Sequence, residues 1–502
     1  MKRKKAMKEA TLYIIYFGIA AKVLSFIKGI LTASKIGVSY KMDSYLLAFS
    51  TIMLLTSLIS DGIIIAVIPL LQEIQERHGI ERKISYTNNL INITAVFSFI
   101  LILIGFIEAP AIIKIFGPGF KGKELDKTIL LFRIGLPIIS LSWINAIFSG
   151  FLQSVHSFKG GPKGKVASGI LHIIYLLFFA KTFALKGLMV TGIISAIGQI
   201  YIFRKGLKRN EFKYSWNFDL KDKYIKKLRG YLIPIVAGVG INELNVSIDN
   251  AVASTLSAGS IAELSYANEI IDLFLGVFIA AIVTVIFPVL SEDYNKHDED
   301  HLKNEIKHGM NMVLIIAIPV SIILITMAEP IVKIIFQRGA FDAKASLLTS
   351  KVLAHYAFGL VAMALIPLIT RAYYSIQDMK TPVVISLAAL GINTILDLSL
   401  APFMGNSGIA LGTSISIILA LIYGIFDLNR KLDIVRDDGL KDTVLKIGVA
   451  TVIMTESMFL AHGTISTLLN DLLINNILDI SFSTITGVGV YAEVCKVLRV
   501  KI

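Results

Sequence analysis

Long apolar runs separated by short polar stretches recur along the whole chain. Each run holds roughly twenty residues, enough to cross about 30 Å of hydrocarbon as a helix. The first six are Leu12 to Ala33, Tyr45 to Leu70, Leu90 to Phe106, Ile129 to Leu152, Val166 to Phe183 and Leu188 to Phe203. A second block comprises Tyr231 to Thr255, Leu264 to Leu290, Met310 to Met327, Leu353 to Tyr373, Val383 to Ala401 and Ile409 to Phe426. Val444 to Ala461 and Ile477 to Val494 close the chain, for about fourteen spans. The pattern predicts an all-α polytopic membrane protein with domains at 1–215, 216–435 and 436–502.

The pattern also repeats internally at an offset of about 220 residues, the mark of duplicated transporter halves. VIPLLQE at Val67 returns as IFPVLSE at Ile286, and PAIIKIFGPGF at Pro110 as PIVKIIFQRGAF at Pro330. Pro162 matches Pro382, and Lys186-Gly187-Leu188 with Ser195 matches Ser407-Gly408-Ile409 with Ser416. With six spans per copy, both halves enter the membrane from the same side, so the expected symmetry axis lies near the membrane normal. Such folds place a substrate cavity between the two lobes.

Composition sharpens the class. The 502 residues are 55% hydrophobic and 17% charged, with a mean hydropathy of +0.73, a balance that cannot clothe a water-facing surface. Placing the N-terminus in the cytoplasm puts about 32 of the 49 Lys and Arg on that side and about 12 outside, as the positive-inside rule requires. An even number of spans then puts both termini in the cytoplasm. The stretch from Arg204 to Arg229 carries about ten cations, and in this setting it serves topology and anionic headgroups rather than nucleic acid. The first run is too long, and lacks the small-residue cleavage site, for a removable signal.

Several chemistries drop out. The single cysteine, Cys495, cannot form an internal disulfide, and no Cys/His cluster has zinc spacing. No GxxxxGK[ST] loop is present for ATP hydrolysis, and no loop gathers the carboxylates of a glycosyltransferase or polymerase. The expectation is a transporter, not an enzyme.

Ionisable groups within the runs cost a few kcal/mol each and ordinarily face a cavity or a partner. Lys22 lies about eleven residues, roughly 16 Å, from either end of its run, too far to snorkel to the headgroups. Lys28 is turned roughly 120° from it and either snorkels outward or presents a cation to a cavity. Ser25 and Gly29 would allow the helix to bend there. The seventh run carries Asn242, Asn245 and Asp249 on one stripe and Glu243, Ser247 and Asn250 on another. Asn393 and Asp397 share a helix face, and Thr413 follows. These oxygens suit a hard cation, or alternatively form a satisfied polar network between packed helices. His172 and His355 are expected to make single interhelical hydrogen bonds. Glu108, Glu329 and Arg371 are expected at membrane boundaries.

Four stretches resemble the MurJ/MviN family of lipid II flippases, within the multidrug/oligosaccharidyl-lipid/polysaccharide exporter superfamily. They are KVLSFIKGILTASKIGVSYKMDSYLLAF from Lys22, GSIAELSYANEIIDLFLGVF from Gly259, FQRGAFD from Phe336 and TRAYYSIQDMKTPV from Thr370. The resemblance covers nearly the entire chain. It implies two six-helix lobes in a V, two further C-terminal helices grooved for a polyprenyl tail, and alternating access. It places Lys22, Lys28, Ser25 and Asp43 at a pyrophosphate-binding cavity. It also implies a sodium site of Asp249, Asn393, Asp397 and Thr413 with the Ile409 carbonyl. Departures from the family pattern fall at Gly29, at Thr56 in place of a cation, and at Glu269, a carboxylate modulator where a cation is usual.

The expected activity is therefore movement of an undecaprenyl-pyrophosphate-linked glycan, lipid II first, from the inner to the outer leaflet of the bacterial cytoplasmic membrane. Another surface-polysaccharide precursor, or a small molecule exported with a coupled cation, are the alternatives. No cofactor is expected beyond sodium as a bound or coupling ion. The expected partners are the lipid-linked substrate, membrane lipids and cell-wall synthesis proteins.

Overall fold

The computed structural model describes residues 2–434, 439–466 and 473–500, whose regular elements are all helices, with no strand among the described residues. The first helices are α1 (Lys2–Ile36), α2 (Tyr40–Ile107), α3 (Ala109–Phe116), α4 (Gly122–Gly135) and α5 (Pro137–Ser154). There follow α6 (Gly160–Phe178), α7 (Ala180–Arg209), α8 (Lys223–Ala253) and α9 (Ser260–Phe274). A π-helical turn, Leu275–Ile279, joins α9 to α10 (Ala280–Asn295), which precedes α11 (Glu299–Thr326) and α12 (Ala328–Phe336). The chain continues through α13 (Ala343–Phe358), α14 (Leu360–Ser375), α15 (Lys380–Met404), α16 (Asn406–Leu432), α17 (Gly439–Ser466) and α18 (Leu473–Val497). All fourteen apolar runs fall on these helices. Among the described residues, nine helices are long and apolar enough to span by themselves, or ten if the pair α13 and α14, bent by 44°, is one span.

Local chemistry explains where helices begin and break. Ser39 caps α2, Asp222 caps α8 and Asp342 caps α13, each side chain accepting from a first-turn N–H. Pro110 and Pro137 occupy first turns, where a missing N–H costs nothing. Within α2 the helical path breaks once, at Gly79 (φ 80°, ψ 178°), a conformation open essentially to glycine alone. That break separates the second and third apolar runs.

The duplication is visible in the order of elements. A short helix (α3, α12) precedes a consecutive pair (α4 with α5, α13 with α14), and a second pair follows (α6 with α7, α15 with α16). Even an irregular backbone feature recurs. Ala184 in α7 has φ 46° and ψ −136°, and Gly405, 221 residues later and just before α16, has φ 60° and ψ −138°. In the first copy the Tyr175 hydroxyl donates to the Ala184 carbonyl at 2.5 Å.

By packing, the described chain separates into two compact units, 1–262 and 263–502. In the first, α2 is the pivot, packing on α4, α5 and α8. Trp143, 1% exposed, ties α5 to α2 by donating from Nε1 to the Thr56 carbonyl at 3.1 Å. Small residues let the other helices approach. A Cβ at Gly169 of α6 would lie 2.9 Å from Leu24 of α1, and one at Gly164 would lie 2.6 Å from the Gln199 amide of α7. The first unit also includes α8, the first helix of the second sequence repeat, held at its start by Lys227 to Glu73 at 2.5 Å. In the second unit, α15 packs on α16, α17 on α18 and α11, and α18 on α12.

Ala184 holds a backbone geometry that its repeat counterpart meets with glycine. We predict that Ala184→Gly raises the apparent Tm of the detergent-solubilised protein, by relief of about 1 kcal/mol of strain. An unchanged or lower Tm in a thermal melt would show that the alanine is not strained there.

Candidate functional site

Polar groups within the spans gather in separate places in the two units. On α1, Lys22 is exposed, Ser25 is half-buried, and Lys28 is half-buried within electrostatic reach of His172 on α6. The His172 Nδ1 lies 2.8 Å from the Ser168 carbonyl and 3.5 Å from the Ser195 hydroxyl of α7, so it does bridge two helices. The α1–α6–α7 junction thus combines a lysine ammonium with an imidazole and a hydroxyl. Such a set can donate to an anion.

Asp43 sits differently from the expectation. It is 2% exposed, and its carboxylate accepts from the Gly259 N–H at 2.5 Å and the Ala262 N–H at 2.8 Å. Both donors belong to the start of α9, where unpaired N–H groups and the helix dipole favour an anion. In this arrangement Asp43 caps the start of α9. Thr56 is likewise buried, its backbone engaged by Trp143, so a cation there would have to enter the α2–α5 contact.

A carboxylate pair lies in the same unit. Asp61 on α2 is within electrostatic reach of Lys165 on α6 and of Glu243 on α8. Glu243 stood out in the sequence as part of a polar stripe. Asp61 did not, because one acidic residue in an apolar run carries no pattern of its own.

The candidate sodium residues divide between the units. Asp249, buried on α8 in the first, accepts from Asn245 Nδ2 at 3.5 Å. The side chain of Asn242 lies outside the described residues. On the other stripe, Asn250 donates to Ser50 of α2 at 3.0 Å. The remaining four residues are together in the second unit. Asn393 Nδ2 donates to Asp397 Oδ2 at 2.8 Å, and both side chains are buried. Ser416, on α16, donates to Asn393 Oδ1 at 3.3 Å and to the Thr413 carbonyl at 2.9 Å. Thr413 in turn donates to the Ile409 carbonyl at 3.1 Å. Glu269 is half-buried on α9 in the same unit.

The donor set fits a hard cation in kind, since it offers carboxylate, amide, hydroxyl and carbonyl oxygens. It is also tight. A Cβ at Gly412 would lie 2.5 Å from Asp397 Oδ1, so α16 can meet that carboxylate only through a glycine. Among the described residues, no group of three or more His, Cys, Asp or Glu side chains could hold a metal ion, so transition-metal chemistry finds no cluster there. Ser416 is a repeat position in the sequence and an interhelical bond in the structure. Its partner in the first repeat, Ser195, meets His172 just as Ser416 meets Asn393, at the same offset of 221 residues.

His355 departs from expectation: its ring bonds the Lys351 carbonyl of its own helix at 2.6 Å, and the link to α16 runs from Ser414 to the His355 carbonyl at 2.6 Å. Arg371 stacks over Phe287 at 5.1 Å and Tyr374 at 5.7 Å.

A multi-pass helical fold with charged and amide groups gathered inside its spans defines a membrane transporter. The family described as "Lipid II flippase MurJ" matches residues 32–477, and the chain belongs to that family. It is 25% identical over 498 residues to the "Probable lipid II flippase MurJ" of Buchnera aphidicola subsp. Acyrthosiphon pisum, covering 96% of each chain. Its fold matches a solved lipid II flippase MurJ in an inward closed conformation, with a TM-score of 0.81, 24% identity, and coverage of 96% of this chain and 98% of that one. A multidrug resistance MATE family transporter in an inward-facing conformation shares the fold at a TM-score of 0.68 and 13% identity, over 84% of this chain and 98% of that one.

We predict that Gly412→Ala, by forcing a methyl group against the Asp397 carboxylate, lowers the apparent Tm by an amount matching a loss of about 1–3 kcal/mol. The same substitution at Gly391, where a Cβ meets nothing within 4 Å, serves as the control. Equal behaviour of the two variants would refute the close contact.

Proposed function

We propose that this chain flips lipid II from the inner to the outer leaflet of the bacterial cytoplasmic membrane by alternating access. Family membership carries the substrate class. The observation that carries the site is the pair of lysines on α1, one exposed and one half-buried within electrostatic reach of His172. A pyrophosphate cannot cross hydrocarbon unaided, because each charge costs several kcal/mol there. Lys22 and Lys28 attract that group, and the His172–Ser195 pair orders the helices behind Lys28. The exposed apolar side chains of α17, including Leu445, Val452 and Leu460, accompany the polyprenyl tail. Both termini lie in the cytoplasm, and the repeats at 1–215 and 216–435, with 436–502 appended, form the moving halves. Partners in cell-wall synthesis deliver the substrate and take it up.

Asp249, Asn393, Asp397 and Thr413 with the Ile409 carbonyl would hold sodium. When bound, the ion supplies positive charge that offsets carboxylate charge.

Two measurements test this reading. In proteoliposomes containing labelled lipid II, wild-type protein should expose the label to an external reagent, and the Lys22→Gln/Lys28→Gln variant should be slowed at least about tenfold. Normal flipping by a correctly inserted double variant sinks the pyrophosphate assignment. For the ion, sodium against potassium should raise the apparent Tm of wild type, and not that of Asp249→Asn or Asp397→Asn. The same shift in all three rejects the ion site.

A further inference from the structure

The segment between α7 and α8 combines features that no step of flipping explains. From Arg204 to Arg229 it holds ten cations and three carboxylates. Between Lys213 and Lys221, in the non-helical stretch, the residues alternate. Tyr214, Trp216, Phe218 and Leu220 are all exposed, and Trp216 reaches 73%. An open row of three aromatics and a leucine is costly in water at roughly 25 cal/mol per Å².

The row does not hang loose. Three asparagines on α2 hold the intervening residues. Asn88 Nδ2 donates to the Lys213 carbonyl at 2.9 Å and to the Ser215 hydroxyl at 3.0 Å. Asn92 Nδ2 donates to the Asn217 carbonyl at 2.8 Å and accepts from the Tyr214 hydroxyl at 2.7 Å. Asn89 makes a reciprocal pair with the Asp219 backbone, at 2.8 Å and 2.7 Å. Arg82 closes the strap by pairing with Asp222 at 2.5 Å. The chain therefore invests a buried polar ladder in presenting an apolar row. Exposed cations flank it on both sides: Lys205, Lys208, Arg209 and Lys213 before it, and Lys221, Lys223 and Lys226 after.

We propose that this strip is an interfacial anchor that binds the anionic leaflet next to it. The aromatics and Leu220 enter the boundary between headgroups and acyl chains, and the flanking lysines and arginines contact lipid phosphates. Three arguments select lipid as the occupant. The segment leads from α7, which is long and apolar enough to span, into α8, which carries the seventh apolar run, so it lies at a membrane surface by connectivity. Tryptophan and tyrosine are favoured at that depth because one end of the ring is apolar and the other polar. Each cation near an anionic surface adds about 1 kcal/mol of attraction. The strap then supplies preorganisation, so that little loop entropy is lost on docking.

Trp216 reports on this directly, because the only other tryptophan, Trp143, is buried. The full chain is placed in nanodiscs of phosphatidylglycerol or phosphatidylcholine, with and without bromine on the upper acyl carbons. The Trp216 signal is read from Trp143→Phe protein, and independently as wild type minus Trp216→Phe, which leaves the core intact. In phosphatidylglycerol, bromine should cut Trp216 emission by roughly half, and acrylamide quenching should fall below that of free tryptophan. Lys213→Gln/Lys221→Gln/Lys226→Gln protein should lose the preference for phosphatidylglycerol. Equal bromine quenching in both lipids overturns the anionic contact. Trp216 that is open to acrylamide and blind to bromine in both overturns the anchor and assigns the strip to a protein partner.

Discussion

In hydrocarbon every backbone N–H and C=O must be satisfied within the protein, and this requirement governs where the chain can depart from a helix. Three departures in the structure are each met by a particular device. The Arg133 guanidinium donates to the Phe106 carbonyl at the end of α2, at 2.9 Å. Tyr175 reaches the Ala184 carbonyl at the irregular start of α7. Asp43 accepts from the first N–H groups of α9, from 216 and 219 positions away in sequence. In water, solvent would satisfy these groups and the side chains would be free for other work. Here a carboxylate that resembles a binding residue is committed to a helix end.

The same solvent removes the hydrophobic force between helices, since lipid tails are as apolar as leucine. What remains is close packing and interhelical hydrogen bonding. Glycine on the contact faces of α6 and α16 serves the first, and Asn145, Asn393, Ser195 and Ser416 serve the second. Asn145 Nδ2, for example, ties α5 to the Ala196 carbonyl of α7 at 2.9 Å. Polar residues in these spans thus have two competing uses. A single residue's place in a span does not tell which use it has.

This explains what could be read from the sequence. The spans and the duplication were legible because both are periodic signals carried by many residues, and the order of α3 to α7 and α12 to α16 follows them. The grouping of Asn393, Asp397, Thr413 and Ile409 was legible in part, because a spacing of four defines one helix face. The capping by Asp43 was not, because it depends on where the chain returns after two hundred residues. Nor was the burial of Thr56, which depends on a tryptophan donated from α5. The break at Gly79 was hidden by its chemistry, as a glycine among charged residues reads as an ordinary loop. Domain limits are also less sharp than the repeat, because α8 belongs to the second copy by sequence and packs on α2 of the first.

The two copies have kept their geometry and exchanged their charge. His172 with Ser195 and Asn393 with Ser416 are the same interhelical bond at the same offset. Beside the first stands the Lys28 ammonium, and beside the second the Asp397 carboxylate. An imidazole next to a cation and an amide next to a carboxylate are environments of opposite sign on one scaffold. A duplicated bundle built this way can carry opposite charges in its two halves, because nothing in the shared packing requires the two charges to match. That division follows from a few side-chain exchanges at fixed positions. It requires no change in the helices that carry them.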